Sequence, residues 1–297
     1  MNEQSAVESF AQAMRMAKSK QLIAKSPLIL NNSSMSLYIQ KTDILTSLWD
    51  YSISLIADLK DASMSEHAHH SYKVVVTLDN DLGGIIDGHT ISNVRGFIVN
   101  KTVPHTFFGP DARVLVNFIE PDSLWGWQLR SLLKDKPWMN IDSVLAPEQY
   151  ENVFPENYKC LSNDELIPYV NNFLNSIFPL VSQPNKTITD DRIKLALLYV
   201  EENLHKPLDL EDISSQISLS PDRVRHLFVK EMNIPFSQYV IWKRIKKIIS
   251  TAIHEDKKLN ETCIQYGFWD QPHFVKTFKR FFGLTPSFFF NNCRVLL

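Results

Sequence analysis

Residues 266–286 read YGFWDQPHFVKTFKRFFGLTP and place five phenylalanines among basic and polar side chains. Phe274, Phe278 and Phe281 recur at spacings of four and three, which predicts the buried stripe of an amphipathic helix that begins near Gln271. The side chains between these phenylalanines then face solvent. A helix with one aromatic face and one polar, basic face is suited to pack on a small core while it presents the other face to a partner.

The same pattern occurs 50 residues earlier in the chain. SLSPDRVRHLFVKEMNIPFSQYV (218–240) aligns with FWDQPHFVKTFKRFFGLTPSFFF (268–290), and Phe228 falls on Phe278. Each copy predicts a short helix, a turn and a second helix, which is a helix-turn-helix unit repeated within one chain. The predicted N-caps of the two second helices are Ser220 and Asp270, and the predicted left-handed ends are Asn233 and Gly283.

A single basic helix is predicted between the two units, over SQYVIWKRIKKIISTAIHE (237–255). At 1.5 Å per residue this helix is roughly 27 Å long. Major-groove segments on one face of DNA recur about every 34 Å. The spacing therefore predicts that the two units read two adjacent major-groove segments.

Side chains that lie off the buried stripes of the second helices are predicted to contact DNA. The predicted base contacts are Asp222, Arg223, Arg225 and His226 in the first unit, and Gln271, His273 and Lys276 in the second. The predicted phosphate contacts are Lys230, Lys246, Lys247, Lys279 and Arg280.

These motifs resemble the AraC/XylS transcription regulators over about residues 190–291. The second unit of that family runs I-A-x-x-x-G-F-x-D-Q-S-Y-F-x-R-x-F-K-x-x-x-G-x-(S/T)-P, and this chain has TCIQYGFWDQPHFVKTFKRFFGLTP. The resemblance implies a sequence-specific DNA-binding transcription regulator. His226 and Lys276 stand where the family usually has arginine. This changes the expected base preference, because lysine donates from a single ammonium group and lacks the bidentate guanidinium of arginine.

The N-terminal part shows short β-rich runs between about residues 35 and 120, which predict an antiparallel barrel or sandwich. EHAHHSYKVVVTLD (66–79) and VPHTFFGPDARVLVNFIEPDS (103–123) resemble the cupin-like sensor domain of many AraC/XylS members. The expected fold class is therefore α+β, with a cupin-like β-barrel and flanking helices followed by an all-α domain.

His67, His69 and His105 are the candidate effector pocket. Imidazoles from two strands are also suited to hold a metal ion. The acidic ligand that metal-binding cupins carry shortly after HxH is missing here, so no metal and no cofactor are predicted. The remaining alternative is that these histidines are hydrogen-bonded in the core.

Five regions are expected along the chain. They are an N-terminal arm or helix (1–30), a cupin-like sensor domain (31–125), a helical dimerisation region (126–181), a linker (182–190) and an AraC-type DNA-binding domain (191–297). Helices are predicted at 123–134 and 164–178, and everything beyond the linker is expected to be helical. The predicted partners are double-stranded DNA, an unknown small-molecule effector, a second copy of the chain and RNA polymerase.

Charge and composition agree with this division. Residues 1–189 carry a net charge of −5 and residues 190–297 a net charge of +3, which favours an anionic partner for the second part. The three cysteines lack CxxC spacing and are expected to be reduced, and without an apolar leader or span the protein is expected in the cytoplasm. No GxSxG, P-loop or GxGxxG motif indicates an enzyme. Two alternatives stay open, a regulator controlled by a protein partner and a cupin-type metalloenzyme fused to a DNA-binding tail.

Overall fold

The computed structural model describes residues 44–49, 52–59, 62–77, 79–109, 112–153, 158–178, 190–255 and 257–296. The predicted N-terminal arm, the start of the predicted β-rich part and nearly all of the predicted linker lie outside these residues.

The described part of the chain divides into β strands followed by helices, which confirms the α+β class. The strands are β1 (Ile44–Trp49), β2 (Ser52–Leu59), β3 (Ala62–Ser63), β4 (Tyr72–Thr77), β5 (Leu82–Ile86), β6 (His89–Val94), β7 (Gly96–Val99), β8 (His105–Gly109), β9 (Ala112–Ile119), β10 (Trp138–Asn140) and β11 (Cys293–Leu296). They form a seven-stranded sheet, in the order β10-β7-β4-β9-β2-β1-β11, and a four-stranded sheet, in the order β3-β8-β5-β6. These two sheets do not close into the expected barrel within the described residues.

One strand departs from the expectation that everything beyond the linker is helical. β11 (Cys293–Leu296) follows the last helix and pairs in parallel with β1, so that Ile44 lies opposite Cys293. The other strand pairs in both sheets are antiparallel. The C-terminal segment therefore extends the edge of the N-terminal sheet.

The helices lie close to their predicted positions. They are α1 (Leu124–Leu133), α2 (Asn163–Ile177), α3 (Asp191–Glu202), α4 (Leu210–Ile217), α5 (Pro221–Met232), α6 (Phe236–His254), α7 (Leu259–Gln265), α8 (Gln271–Phe282) and α9 (Pro286–Asn292). Three 3-10 turns lie at Ile141–Ser143, Pro147–Asn152 and Tyr158–Cys160. Within the described residues, none of these helices is long and apolar enough to cross a membrane.

The predicted helix ends are observed in both units. The Ser220 side chain accepts a hydrogen bond from the backbone N–H of Arg223, and Asp270 accepts one from His273. α5 ends at Asn233 with φ +59°, and α8 ends at Gly283 with φ +72°. The capping residues therefore set the ends of α5 and α8, and the two helices begin and end 50 residues apart.

Alternating strand residues divide the apolar core into two clusters. Val74 and Val76 of β4 face α1 and α2, whereas Val75 between them faces the second sheet and the C-terminal helices. The predicted stripe of Phe274 and Phe278 is fully buried in this second cluster. The helical domain and the inner face of the sheets therefore share one continuous core.

Candidate nucleic-acid interface and ligand site

The second helix of the first unit, α5, presents a polar face. Val224 and Phe228 are buried, while the predicted base contacts Asp222, Arg223, Arg225 and His226 are exposed. The Arg225 guanidinium forms an ion pair with Asp222 one turn earlier on the helix. An exposed pair of this kind contributes little to stability, so Arg225 can exchange its carboxylate for a nucleic-acid acceptor at low cost.

The second helix of the second unit, α8, has the same division. Gln271, His273 and Lys276 are exposed, opposite the buried phenylalanines. The His273 ring lies 5.2 Å from the Phe268 ring, which supports it at the start of the helix. Basic side chains are suited to donate to guanine O6 and N7, and a glutamine to pair with adenine.

Four of the five predicted phosphate contacts, Lys230, Lys247, Lys279 and Arg280, are exposed. Lys246 is not, because its Nζ lies 2.6 Å from a carboxylate oxygen of Glu120 and its side chain is only 15% exposed. Lys246 as a phosphate contact stays a prediction, and it requires the ammonium group to leave Glu120. Helical periodicity indicated that Lys246 lies off the apolar stripe, but it could not indicate the acidic side chain opposite.

Glu120 links the two parts of the molecule. It is 1% exposed, directly follows β9, and its carboxylate also lies 3.1 Å from Lys243 Nζ of α6. Burial opposes ionisation of Glu120, but the ammonium groups of Lys246 and Lys243 outweigh it and hold the pKa below its ordinary value. Two of the basic residues predicted on the connecting helix thus stabilise its contact with the N-terminal sheet.

Arg244 gives the connecting helix a further structural role. Its Nε donates to the Leu204 carbonyl at 3.1 Å, and its guanidinium also donates to the carbonyls of Lys206 and Gly267. Gly267 forms the turn before α8, whereas Leu204 and Lys206 lie between α3 and α4. A single side chain of α6 therefore joins the segment between α3 and α4 to the turn of the second helix-turn-helix unit.

Trp269 is a candidate contact residue that the sequence reasoning missed. It lies between Phe268 and the Asp270 cap and is 90% exposed. A tryptophan is usually at least partly buried, so an indole this exposed at the start of α8 is a candidate for contact with a partner. The only signal in the sequence is the aromatic residue at the variable position of GFxDQ.

The predicted effector-site histidines, His67, His69 and His105, lie together. All three are buried, and their ring centroids are 4.3 to 5.7 Å apart. The Nδ1 atoms lie 2.8 to 2.9 Å from the backbone carbonyls of Ser65, Ser71 and Val103, respectively. Burial is the main cause that lowers the pKa of each imidazole well below its ordinary value.

Lys73, which the sequence analysis did not single out, occupies the centre of this cluster. Its side chain is fully buried, and its Nζ lies 3.2 Å from the Nε2 atoms of His67 and His105. The Phe107 and Phe118 rings flank the ammonium group at 4.8 and 5.4 Å. Burial lowers the pKa of Lys73 to about 7. No carboxylate pairs with Lys73 within the described part of the chain.

The histidine cluster adjoins the end of α8. The Ser65 hydroxyl donates to the Gly283 carbonyl at 3.2 Å, and a Cβ on Gly283 would lie 2.8 Å from His67 Nδ1. Phe118, which flanks Lys73, packs edge-on against Phe282 with ring centroids 5.3 Å apart. The candidate ligand site and the second helix-turn-helix unit are therefore in direct contact.

Comparison with known proteins identifies a domain in the C-terminal region. Residues 213–292 match a family described as "Helix-turn-helix domain". Regulatory protein PocR of Salmonella typhimurium is 28% identical over 180 residues, which are 58% of this chain and 57% of PocR. Probable transcriptional regulator LumQ of Photobacterium leiognathi is 25% identical over 241 residues, which are 76% of this chain and 92% of LumQ. The matched segment thus spans less than two thirds of PocR.

A solved structure supports the fold of both parts. A crystal structure of an apo ToxT variant from Vibrio cholerae has a TM-score of 0.51 at 14% identity, covering 82% of this chain and 98% of the ToxT chain. The likeness is one of fold, and it extends across the sheets as well as the helices. The C-terminal region of this chain is therefore a helix-turn-helix domain.

Proposed function

We propose that this chain is a sequence-specific DNA-binding transcription regulator and not an enzyme. The observation that carries the proposal is the repeated helix-turn-helix unit, in which α5 and α8 each combine a buried apolar stripe with an exposed polar face. Two such units joined by α6, whose Arg244 bonds the segment before α4 to the turn before α8, form one binding module. The regulator names of PocR and LumQ support the same function.

The exposed faces of α5 and α8 have distinct roles in the proposal. The base-reading residues are Asp222, Arg223, Arg225, His226, Gln271, His273 and Lys276. Lys230, Lys247, Lys279 and Arg280 contact phosphates, which adds affinity without sequence information. Trp269 extends the surface at the start of α8, where its indole packs against the DNA backbone.

The N-terminal domain is the sensor in this proposal. A small-molecule effector binds at His67, His69 and His105, and the contact between Ser65 and Gly283 carries its effect to α8. The chain acts as a homodimer and has RNA polymerase as a further partner. The predicted dimerisation region includes α2, whose Tyr169 side chain is 40% exposed and available to a second copy.

The proposal is tested by sequencing the genomic fragments that the purified full-length protein retains, followed by footprinting of the most enriched ones. We expect protection of two adjacent major-groove segments per subunit and a steep loss of affinity with rising salt. Absence of salt-dependent binding to any fragment, both alone and with a cell metabolite extract, would contradict the proposed function. A thermal-shift screen of metabolites separates an effector-controlled regulator from one controlled by a protein partner.

A further inference from the structure

We infer that His67, His69 and His105 form a binding site for a divalent transition-metal ion of the class that prefers imidazole ligands, such as zinc, nickel or copper. Within the described residues, these three side chains are the one group of histidines, cysteines or carboxylates whose ligand atoms converge closely enough to share an ion. Their nearest ring nitrogens lie within 4.8 Å of one another. The ion is the effector of the proposed regulator, and to that extent the inference rests on the proposed function.

Hydrogen bonds fix the direction of all three imidazoles. A backbone carbonyl can only accept, so each Nδ1 next to Ser65, Ser71 or Val103 carries the proton and donates it. The Nε2 atom of each neutral ring then presents its lone pair to the interior of the cluster. Metal-binding histidines are held in this way, with the other ring N–H bonded to a carbonyl or carboxylate.

The cluster contains an unsatisfied acceptor. His69 Nε2 is buried without a hydrogen-bond partner, although His67 and His105 share the Lys73 ammonium at 3.2 Å. A buried lone pair without a donor costs stability, and a cation at the centre would satisfy all three nitrogens together. Zinc lies about 2.0 to 2.1 Å from imidazole nitrogen, so the rings must approach one another by about 1 Å as the ion binds.

Lys73 is the competitor for this position. Its ammonium already lies between two of the three nitrogens, where it supplies the positive charge that the lone pairs attract. A metal ion must displace it, and the long side chain of lysine allows the ammonium to move while its stem stays in place. Three protein nitrogens leave the fourth position of a tetrahedral ion open to water or a small ligand.

Binding at this site has a structural route to α8. His67 and the Met64 side chain both lie 2.8 Å from the position of a Cβ on Gly283, and Ser65 is bonded to the Gly283 carbonyl. A ring movement of His67 toward the ion therefore alters the contacts at the C-terminal end of α8. The metal would act on the second helix-turn-helix unit through the segment that carries its ligands.

The test is equilibrium dialysis of chelator-treated full-length protein against zinc chloride, with metal quantified by mass spectrometry and cobalt used as a spectroscopic probe. We expect one ion per chain, a loss of affinity of at least about tenfold in His69→Ala, and tighter binding in Lys73→Leu. His89→Ala, at an exposed histidine of the same domain, serves as the matched control and should bind like the wild type. The change expected in Lys73→Leu is a gain of affinity at one ion per chain, which complements the loss expected in His69→Ala.

Less than one ion per chain in both the wild type and Lys73→Leu would overturn the site. Hydrogen exchange of residues 279–286 should change on zinc addition in the wild type and not in His69→Ala. Stoichiometric zinc without that change would overturn the effector role. If zinc binds and no genomic fragment is retained, the proposed function fails while the metal site stands.

Discussion

At the scale of single residues, Gly283 combines a left-handed backbone with a close contact to the N-terminal domain. Its φ of +72° is a left-handed conformation, and a Cβ there would lie 2.8 Å from both His67 Nδ1 and Met64 Cε. Gly88 has a similar φ of +74° with nothing within 4 Å of the added carbon. Gly283 therefore ends α8 and also forms the contact between this helix and the N-terminal domain.

Alanine substitutions at Gly88 and Gly283 separate the cost of a left-handed backbone from the cost of the close contact with His67. We expect Gly88→Ala to lower the free energy of unfolding by about 1 kcal/mol, because of the left-handed backbone alone. Gly283→Ala should lower it further, since His67 is buried and held by its hydrogen bond to Ser65 and cannot readily move aside. Urea unfolding of both variants gives the difference. Equal losses would show that the contact with His67 adds nothing.

Asp122 is a second residue whose environment predicts a measurable effect, on the dependence of stability on pH. Burial, followed by the charge of Glu120, raises the pKa of Asp122 from 3.8 to about 6. The folded state therefore holds this proton more tightly than the unfolded state. The stability it contributes is complete below about pH 4 and is lost as the pH rises through about 6.

Asp122→Asn removes that titration, because the amide is uncharged at every pH. At pH 7.5 we expect the variant to be more stable than the wild type by up to ~3 kcal/mol, and at pH 5 we expect a smaller difference. Urea unfolding at the two pH values measures it, and Asp81→Asn at an exposed aspartate is the control. A wild type that is equally stable at both pH values, with no gain in Asp122→Asn, would contradict the assignment.

At the scale of elements, capping residues and helical spacing predicted the helices, because these signals come from residues that are close in sequence. Ser220, Asp270 and the 50-residue repeat located α5 and α8 because caps and helical spacing act within one or two turns. β11 was missed because its four residues, Cys293–Leu296, are too few to show a periodicity, and its pairing partner β1 lies some 250 residues away in the chain. The place of Lys246 was missed for the same reason, since Glu120 comes from another element.

The polar faces of α5 and α8 predict two kinds of variant. Arg225→Ala and Lys276→Ala should change which sequences are bound, because their exposed side chains are assigned to base edges. Lys279→Ala should weaken binding about equally at all sites and reduce the salt dependence by about one phosphate contact. Selection of random DNA sequences with each variant, together with affinities over a salt series, distinguishes the two roles. Uniform losses in all three variants would refute the division into base and phosphate contacts.

At the scale of the whole molecule, the two parts are joined by a polar and an aromatic contact. Glu120 holds Lys243 and Lys246 of α6, while Phe118 packs on Phe282 at the end of α8. The same connecting helix that spaces the two DNA-binding units is thus bound to the sensor sheet by its own basic residues. A change in the sheet can therefore alter both the position of α6 and the number of lysines available to DNA.

Glu120→Gln tests this coupling, because it keeps the shape of the side chain and removes the charge opposite two buried ammonium groups. We expect the free energy of unfolding to fall by about 3 kcal/mol, since a buried ion network loses its acidic partner. We also expect a steeper salt dependence of DNA binding, because Lys246 then loses its ion pair with Glu120 and can turn toward phosphate, whereas Lys243 keeps its ion pair with Glu201. Urea unfolding and affinities over a salt series measure the two effects, with Glu148→Gln at an exposed glutamate as the control. If Glu120→Gln loses stability without a change in the salt dependence, Glu120 holds the domains together but does not withhold lysines from DNA.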